Sequence, residues 1–506
     1  MLRKLINSTV KDLFLCFLSA ALLALSFSSF NLWVLAWFGF LPLFFALSGK
    51  SKLQAFFLSY TTGFFFWLFA IYWLIHVTPA GLIVLSLYLG LYFAIFGFVF
   101  SLSYILPTNY YLLFIPSLWV GLEYIRGYLL SGFPWSLLGY SQYRNLAIIQ
   151  IADITGVWGV SFLVMLVNVV IKEVIIYRPN TSRPRPIKSL LLVCALMFIL
   201  LCYGIYKLYL QPLTSSVKPI RVSVIQGNIP QELKWDASAR EFVLNKYFKL
   251  TDKATRESLD LIIWPEAAVP VVLEEGSSYY GRVMDYVKNI KKPLLFGAVT
   301  YKDSLYYNSA LLVSGEGRLV KEYAKFHLVP FGEYIPLRKV FPFLETIAPI
   351  GDIAAGEEYT LFNIPGKDNK FAVLICFEDV FPELSRSFVN KGADFLINIT
   401  NDAWFGATSE AYQHLAASVF RAVENRVYLL RSANTGISGF VLPTGRVISL
   451  VEDNSSRNMF ITGYKTQDIF ITRHTPSFYA KYGDLFAYVC ILYILYVIIS
   501  RFYKKK

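Results

Sequence analysis

The stretch FAVLICFED, residues 371–379, joins an apolar run to a cysteine that is followed by two carboxylates. A short apolar run of this composition favours a buried β-strand, so we expect Cys376 to lie where that strand ends. A second run, LDLIIWPE at 259–266, ends in the same way on Glu266. Reactive side chains at strand ends that face a crevice are a general feature of α/β enzymes.

The same alternation of short apolar runs and helical periodicity extends over the polar middle of the chain. Further strands are predicted at 220–226, 294–299, 309–313, 394–400 and 427–433, and helices at 236–257, 279–290, 382–391 and 409–425. Strands that alternate with helices predict an α/β layered domain. No glycine-rich phosphate loop follows a predicted strand, so we do not expect a nucleotide site.

Composition separates this middle region from its flanks. The chain is 56% hydrophobic and only 16% charged, whereas soluble domains are about 45–50% apolar and about 25% charged. The excess lies in roughly the first 210 residues and the last 25, where apolar stretches approach the ~20 residues that a membrane helix needs. Spans are predicted at 12–29, 31–48, 54–76, 81–106, 110–125, 158–177, 189–209 and 484–501.

Basic residues cluster beside these spans and give the chain a net charge of +13. The clusters comprise Arg3, Lys4, Lys11, Lys50, Lys52, Lys172, Arg178, Arg183, Arg185, Lys188, Arg501 and Lys504 to Lys506. All fall on one side if the span count is right, so that side is expected to be cytoplasmic. The pattern is typical of contact with membrane lipid and not of nucleic-acid binding, because no nucleic-acid module is visible.

These patterns predict a polytopic α-helical membrane domain of about eight spans, joined to an α/β domain. Its expected parts are a seven-span membrane domain at 1–210, an outer domain at 211–480, and an eighth helix with a basic tail at 481–506. In a Gram-negative cell the outer side of the inner membrane is the periplasm.

Cys376 is the only cysteine outside the predicted spans, and the others are Cys16, Cys194, Cys202 and Cys490. A neutral thiol is a poor nucleophile and needs a base or a nearby cation. A desolvated Glu266 would have a raised pKa that suits a base, and Lys325 could stabilise the thiolate and an oxyanion. These three residues suffice for acyl transfer without histidine. No CxxC motif or Cys/His cluster is present, so neither a metal nor a cofactor is expected.

Each of these residues also has a structural interpretation. A lone buried cysteine is more often inert packing, Glu266 could form a strand-end salt bridge, and Lys325 could be a solvated loop charge. A Cys/His pair with His327 or His414 is a further alternative for the thiol.

Two carboxylates close to the cysteine argue against easy ionisation. Glu378 and Asp379 follow Cys376 closely, and nearby negative charge raises a thiol pKa. Either these side chains point away across a tight turn, or cations such as Lys325 offset them. Glu333, eight residues after Lys325, is a further carboxylate candidate.

Two segments outside the regular pattern could serve a lipid substrate. The loop at 126–157 contains SGFPWSLLGYSQ, which is either an interfacial aromatic belt or a partly buried loop that shapes a lipid entrance. Residues 337–358 mix FPFLETIAPI with glycines and form either an ordinary long loop or, as we hypothesise, an arm that dips toward lipid with Phe341 and Phe343 as contacts.

The motifs WPE (264–266), the lysine before HLVPFGEYIP (327–336) and ICFED (375–379) resemble the Glu–Lys–Cys set of the nitrilase, or carbon–nitrogen hydrolase, superfamily. That resemblance implies an α-β-β-α sandwich for the middle domain. QGNIPQELKWD (226–236), TPSFYAKYGD (475–484) and the eight-span layout resemble more narrowly the apolipoprotein N-acyltransferase family. The resemblance covers nearly the whole chain.

The resemblance implies Glu266 as general base, Lys325 as oxyanion-stabilising lysine and Cys376 as nucleophile. It also implies supporting roles for Glu333 and Glu378, and it places Trp235 near the lipid site. The aromatic Phe377 stands where some family members have tyrosine, so only an aromatic packing role carries over, and we group it with the substrate-binding candidates Trp235, Phe341 and Phe343.

The reaction implied is a ping-pong acyl transfer. Cys376 would take an acyl chain from the sn-1 position of a phospholipid, phosphatidylethanolamine in the simplest case, as a thioester. The α-amine of a diacylglyceryl-cysteine apolipoprotein would then receive it, completing lipoprotein maturation at the bacterial inner membrane. We expect a monomer among membrane lipids, with no cofactor.

Two other functions fit parts of the sequence. One is a membrane-bound amidase or nitrilase that acts on a small periplasmic amide, although eight spans are excessive for a tether. The other is a transporter or scaffold with a non-catalytic domain, although few ionisable residues lie inside the predicted spans and the three catalytic positions are all filled.

Overall fold

A computed structural model of the chain describes residues 2–103, 108–177, 186–210, 218–335, 352–471 and 476–503. Two compact units emerge from it. The first comprises Met1–Gln211, Thr408–Ala416 and Tyr482–Lys506, and the second comprises Pro212–Ala407 and Ala417–Lys481.

In chain order, the helices of the described residues are α1 (Leu2–Leu25), α2 (Leu41–Ala46), α3 (Lys52–Ala70), α4 (Pro79–Ser103), α5 (Thr108–Tyr128), α6 (Leu146–Ile149), α7 (Ala152–Thr155), α8 (Val157–Ile176), α9 (Ile187–Ile205), α10 (Gln231–Lys234), α11 (Arg240–Ala254), α12 (Ser278–Ile290), α13 (Pro382–Asn390), α14 (Glu410–Asn425), α15 (Phe478–Tyr482) and α16 (Leu485–Tyr503).

Four helices among the described residues are long and apolar enough to cross a membrane. They are α3, α4, α8 and the helical stretch Ile187–Tyr209, which contains α9. The predicted spans at 54–76, 81–106, 158–177 and 189–209 coincide with these helices. Helices α1, α5 and α16 cover three further predicted spans.

Residues 31–48, predicted as one span, form instead a short 3-10 turn at Trp33–Trp37 and the six-residue helix α2. Asn168 of α8 explains how the break is tolerated. Its side chain accepts from the Phe40 backbone N–H at 3.0 Å and donates to the Ala36 carbonyl at 2.9 Å. Irregular backbone at membrane depth is stable only where protein groups satisfy it.

Helices α3 and α4 pack closely because small residues line their contact. A Cβ atom at Gly97 of α4 would lie 2.0 Å from Ser59 Oγ and 2.6 Å from the Ala55 carbonyl oxygen of α3. Small residues at such crossings let helix backbones approach where lipid provides no hydrophobic driving force.

The aromatic loop within 126–157 is packed inside the first unit. Trp135, Leu138 and Tyr140 are all buried. The Arg126 guanidinium donates to the Phe133 and Trp135 carbonyls, both at 2.8 Å. Of the two interpretations, the buried loop is therefore favoured over an interfacial aromatic belt.

The second unit contains the strands. They are β1 (Ile220–Gln226), β2 (Leu261–Ile263), β3 (Val272–Leu273), β4 (Leu294–Lys302), β5 (Leu305–Val313), β6 (Leu319–Ala324), β7 (Phe362–Asn363), β8 (Lys370–Ile375), β9 (Phe395–Thr400), β10 (Tyr428–Ala433), β11 (Gly439–Val441), β12 (Val447–Ile448) and β13 (Gly463–Ile469). One sheet has the order β13-β1-β2-β4-β5-β6 with β3 beside β4, and the other has the order β12-β11-β10-β9-β8-β7.

The two sheets pack face to face, as an α/β sandwich requires. Ser432 of β10 hydrogen-bonds through its hydroxyl to the carbonyls of Ile225 in β1 (2.9 Å) and Ile263 in β2 (3.2 Å). Helices α11 and α12 bury apolar residues against the first sheet, and α13 packs beside β8. The predicted strands and helices of this region are confirmed, and β8 ends one residue before Cys376.

Trp264 sits at the centre of the core beneath α11. It is fully buried, its indole N–H donates to Thr251 Oγ1 at 2.9 Å, and its ring stacks on Tyr247 at 5.2 Å. The residue directly precedes the Pro265–Glu266 turn, so this packing also fixes the backbone of the site.

Replacing Trp264 by alanine is expected to destabilise the second unit by about 3–5 kcal/mol, the usual cost of deleting a buried aromatic side chain. The measurement is the thermal unfolding midpoint of the detergent-solubilised protein. Phe242→Ala, which removes a ring that is 54% exposed on α11, is the control and should leave the midpoint nearly unchanged. Equal midpoints for both variants would contradict the packing role.

Candidate active site

Cys376 directly follows β8 and is the first residue of a single 3-10 turn, Cys376–Val380. Its φ angle is 54°, in the left-handed region that residues with a Cβ seldom adopt. The Asn398 side chain holds this backbone, since its Nδ2 donates to the carbonyls of Cys376 (3.0 Å) and Leu374 (3.2 Å). Cys376 as a whole residue is partly exposed, and it directly follows β8, which lies between β7 and β9. Strain of this kind persists only where surrounding contacts impose it.

Glu266 follows β2 on a second tight turn. The next residue, Ala267, has a φ of 44°. Gly297 of β4 passes directly behind the turn, so that a Cβ there would lie 2.6 Å from the Glu266 Cα. The Glu266 carboxylate accepts from Asn308 Nδ2 at 2.8 Å, and its backbone carbonyl accepts from Lys234 Nζ at 2.9 Å. Both the backbone and the carboxylate of Glu266 are therefore fixed.

Lys325 follows β6 and is 1% exposed. Its Nζ lies 2.9 Å from the Glu333 carboxylate and 3.9 Å from Glu266 Oε1. Asn308 Nδ2 donates to both carboxylates at 2.8 Å and so links the two ion-pair partners of the ammonium. Glu333 also accepts from the Val329 N–H at 2.8 Å. The three predicted residues Glu266, Lys325 and Glu333 thus form one buried cluster.

Glu378 is fully buried and does not face the thiol as an unpartnered charge. Its Oε2 accepts from the Ile375 N–H at 2.7 Å. Its Oε1 accepts from the Phe326 and His327 N–H groups at 2.7 and 3.0 Å, and from the Tyr323 hydroxyl at 2.8 Å. The carboxylate therefore joins the segment after Lys325 to the segment before Cys376.

Asp379 is compensated by a buried cation. Arg431 of β10 lies 3.1 Å from its Oδ2, and Ser418 also hydrogen-bonds to that oxygen. The sequence allowed two explanations, and one applies to each residue. The Glu378 carboxylate is turned toward backbone N–H groups and accepts from them. Asp379 is offset by a cation, but that cation is Arg431 and not Lys325.

Electrostatics keep the resting thiol protonated. Burial raises the pKa of the Cys376 thiol well above its ordinary value, the Glu266 carboxylate raises it further, and Lys325 acts in the opposite direction. Burial alone would lower the pKa of Lys325, but Glu333 and Glu266 outweigh it and hold that pKa above its ordinary value. Lys325 is therefore permanently charged, and the thiol needs a base to lose its proton.

Burial raises the pKa of Glu378 to about 7, although the Ile375 and His327 N–H groups pull it down. Burial would also raise the pKa of Glu333, but the adjacent Lys325 ammonium outweighs burial and lowers it. The pKa of Glu378 is thus raised above its ordinary value, and the pKa of Glu333 is lowered.

Of the predicted substrate-binding residues, the structure describes Trp235 and Phe377. Trp235 is 45% exposed directly after α10. The Phe377 ring makes an edge contact with Phe381 at 5.1 Å, and Phe381 lies 3.7 Å from the His327 ring. Phe341 and Phe343 lie outside the described residues, as does most of the predicted arm at 337–358.

Several residues of the site could not be named from the sequence. Asn308 lies within β5, Tyr323 within β6 and Arg431 within β10, and each reaches the site only through sheet pairing. Lys234 lies in the segment QELKWD (231–236), which belongs to a motif that resembles the family. Nothing in that segment distinguishes Lys234 from Trp235 as a site residue.

Comparison with known proteins shows what the two regions are similar to. Residues 19–170 match the family described as apolipoprotein N-acyltransferase N-terminal domain, and residues 221–466 match carbon-nitrogen hydrolase. An apolipoprotein N-acyltransferase of Geobacter metallireducens is 39% identical, over 98% of this chain and 96% of that protein. Those of Chlorobaculum tepidum and Thermotoga maritima are 31% and 32% identical, over 95% and 97% of this chain and 95% and 94% of the relatives. Among solved structures, an amidase from Nesterenkonia sp. covers 52% of this chain and 92% of its own at 18% identity, with a TM-score of 0.39.

Glu378→Gln is expected to lower the free energy of unfolding by about 2–3 kcal/mol at pH 8, because an amide NH2 would face a buried N–H donor. Tyr323→Phe removes one of the four donors and is expected to cost about 1 kcal/mol. Unfolding midpoints in detergent measure both. A Glu378→Gln protein as stable as Tyr323→Phe would show that the carboxylate is not the joint between the two segments.

The ion pair of Glu333 with Lys325 predicts an acid-dependent stability. A carboxyl whose folded-state pKa lies below its ordinary 4.5 stabilises the fold above that pH, and the contribution is lost as the pH falls through the folded-state pKa. The unfolding midpoint of the wild type should therefore exceed that of Glu333→Gln at pH 7, and the difference should shrink below about pH 4.5. A difference that stayed constant or grew on acidification would reverse the sign of the argument.

Proposed function

This chain belongs to the apolipoprotein N-acyltransferase family, and on that premise we propose that it transfers an acyl chain from a membrane phospholipid to the N-terminal α-amine of a diacylglyceryl-cysteine apolipoprotein. The carrying observation is the buried cluster of Glu266, Lys325 and Glu333, in which Glu266 and Lys325 both act electrostatically on the Cys376 thiol. The donor we propose is phosphatidylethanolamine, attacked at its sn-1 ester.

In the first half-reaction Glu266 takes the thiol proton while the Cys376 sulfur attacks the ester carbonyl. A resting thiol with a raised pKa requires such a base, and Glu266 is the carboxylate that acts most strongly on it. The tetrahedral oxyanion is stabilised by Lys325, whose ammonium has three donors and directs one at Glu333. The C–O bond breaks, the lysophospholipid alkoxide takes the proton from Glu266, and the Cys376 thioester remains.

In the second half-reaction the acyl chain passes from Cys376 to the acceptor amine. The neutral α-amine of the acceptor attacks the thioester carbonyl, and Glu266 receives the proton that the amine loses. The C–S bond breaks, and an amide forms on the apolipoprotein. Cys376 leaves as a thiolate and regains a proton from Glu266. Water at this stage would give a free fatty acid, so the site must hold the acceptor more closely than solvent.

The apolar helices suit this pair of substrates. Both donor and acceptor are anchored in lipid, so an enzyme with its own spans meets them in two dimensions. We propose eight spans in total, with a catalytic domain at 211–480 on the periplasmic side of the inner membrane and a domain of seven spans before it. Basic clusters beside the spans support this orientation. The proposed working unit is a monomer.

The proposal is tested by incubating the purified protein with phosphatidylethanolamine that carries a radiolabelled sn-1 chain. Wild-type protein should acquire label that neutral hydroxylamine releases, because thioesters are cleaved by this nucleophile. Cys376→Ser should carry no such label, and Cys202→Ser, at an exposed cysteine in α9, should behave as wild type. Adding a diacylglyceryl-cysteine peptide should move the label to the peptide amine.

Wild-type protein that formed no labelled adduct and yet hydrolysed small amides would replace the proposal with the amidase function. If the label were lost to water at the same rate in the presence and in the absence of the peptide, acyl transfer to an amine would be contradicted.

A further inference from the structure

Lys234 is a buried lysine beside the proposed general base, and the mechanism above does not use it. It ends the short helix α10 and is 2% exposed. Its Nζ donates to the Glu266 backbone carbonyl at 2.9 Å. Burial lowers the pKa of Lys234 to about 8, against the attraction of the Glu266 carboxylate and the Cys376 thiolate form. The ammonium therefore lies within electrostatic reach of both reacting groups.

A buried ammonium is a costly way to satisfy one carbonyl oxygen. A neutral amide or hydroxyl donor would satisfy it without removing a charge from water. The presence of a lysine at this place is explained if the charge itself acts on its surroundings.

The balance of charges around the thiol shows what that charge does. Lys325 is already held by Glu333 at 2.9 Å and lies 3.9 Å from Glu266. With Lys234 present, two ammonium groups face two carboxylates. Without it, the cluster carries one excess negative charge before the thiol loses its proton. The negative charge of Asp402 also raises the pKa of the thiol, although Arg431 lies 3.6 Å from the Asp402 carboxylate.

We propose that Lys234 is a positioning residue that holds the Glu266 turn through its carbonyl and, as a second cation, permits the Cys376 thiolate to form. The turn needs such support because Ala267 is in the left-handed region and Gly297 presses on it from behind. The charge acts through Glu266 and Cys376 and makes no contact with a substrate. The role rests on the proposed function only for the use made of the thiolate.

The test measures the thiolate directly and needs no lipid substrate. Full-length protein in detergent is alkylated with iodoacetamide between pH 6 and 9, and modification of the Cys376 peptide is followed by mass spectrometry. Loss of a neighbouring opposite charge shifts a pKa by about one unit at the low end. Lys234→Met should therefore slow alkylation about tenfold at pH 6 to 7, where Lys234 is charged, and by less as the pH rises through the Lys234 pKa of about 8. Lys234→Gln keeps a donor but loses the charge, and it should slow alkylation nearly as much.

Two controls separate the charge from the fold. Lys234→Arg keeps the cation and should restore alkylation toward the wild-type rate. Lys246→Met removes another lysine that donates to a backbone carbonyl, that of Asn228 at 3.2 Å, and it should leave the rate unchanged. Unfolding midpoints are recorded for every variant.

Wild-type alkylation rates in Lys234→Gln or Lys234→Met would overturn the proposal. So would an equal slowing in Lys246→Met, or loss of the folded state in both neutral Lys234 variants while Lys246→Met folds, because either would indicate a purely structural lysine. Absence of a thioester in the wild type would remove the proposed acyl transfer but would leave these alkylation rates, and the inference drawn from them, unaffected.

Discussion

The buried carboxylate of Glu378 is the joint on which the site depends. It accepts the two N–H groups that directly follow Lys325, the N–H of Ile375 and the hydroxyl of Tyr323. The first group of donors belongs to the segment after β6, in one sheet, and Ile375 ends β8, in the other. One side chain thus sets the separation between the lysine and Cys376. The same carboxylate satisfies the N–H of Ile375 at the end of β8, directly before the left-handed backbone of Cys376.

The cluster around Lys325 works by mutual constraint and not by a single strong contact. Asn308 bridges Glu266 and Glu333, and Glu333 accepts from the Lys325 ammonium at the same time. The lysine is held closer to Glu333 than to Glu266. This difference supports the tasks proposed for the two carboxylates, in which Glu333 neutralises the lysine and Glu266 receives the thiol proton.

The sequence predicts seven of the thirteen described strands of the second unit, and the strand-end positions of Glu266 and Cys376, because these follow from local apolar patterns. The end of β8 is defined less sharply, because the apolar run continues to Phe377 while the strand ends at Ile375, whose N–H donates to a side chain three residues further on. Asn308 and Arg431 stay hidden for the same reason: β5 and β10 present them only once the sheets are paired. In the first unit, the break within 31–48 depends on Asn168, more than a hundred residues away, which no hydropathy window can register.

Charge conservation connects these features to acyl transfer. In the proposed mechanism the thiol is neutral at rest and its proton passes to Glu266, so the total charge of the buried cluster does not change when the nucleophile forms. Negative charge then moves from sulfur to the oxyanion and back, always beside Lys325 and within reach of Lys234. A site that kept a permanent thiolate would carry an excess anion in a desolvated pocket and would also react with any accessible electrophile. Holding the proton on sulfur until an ester carbonyl is in place limits the chemistry to bound substrates, which is the requirement for an enzyme whose acyl intermediate must wait for an amine and avoid water.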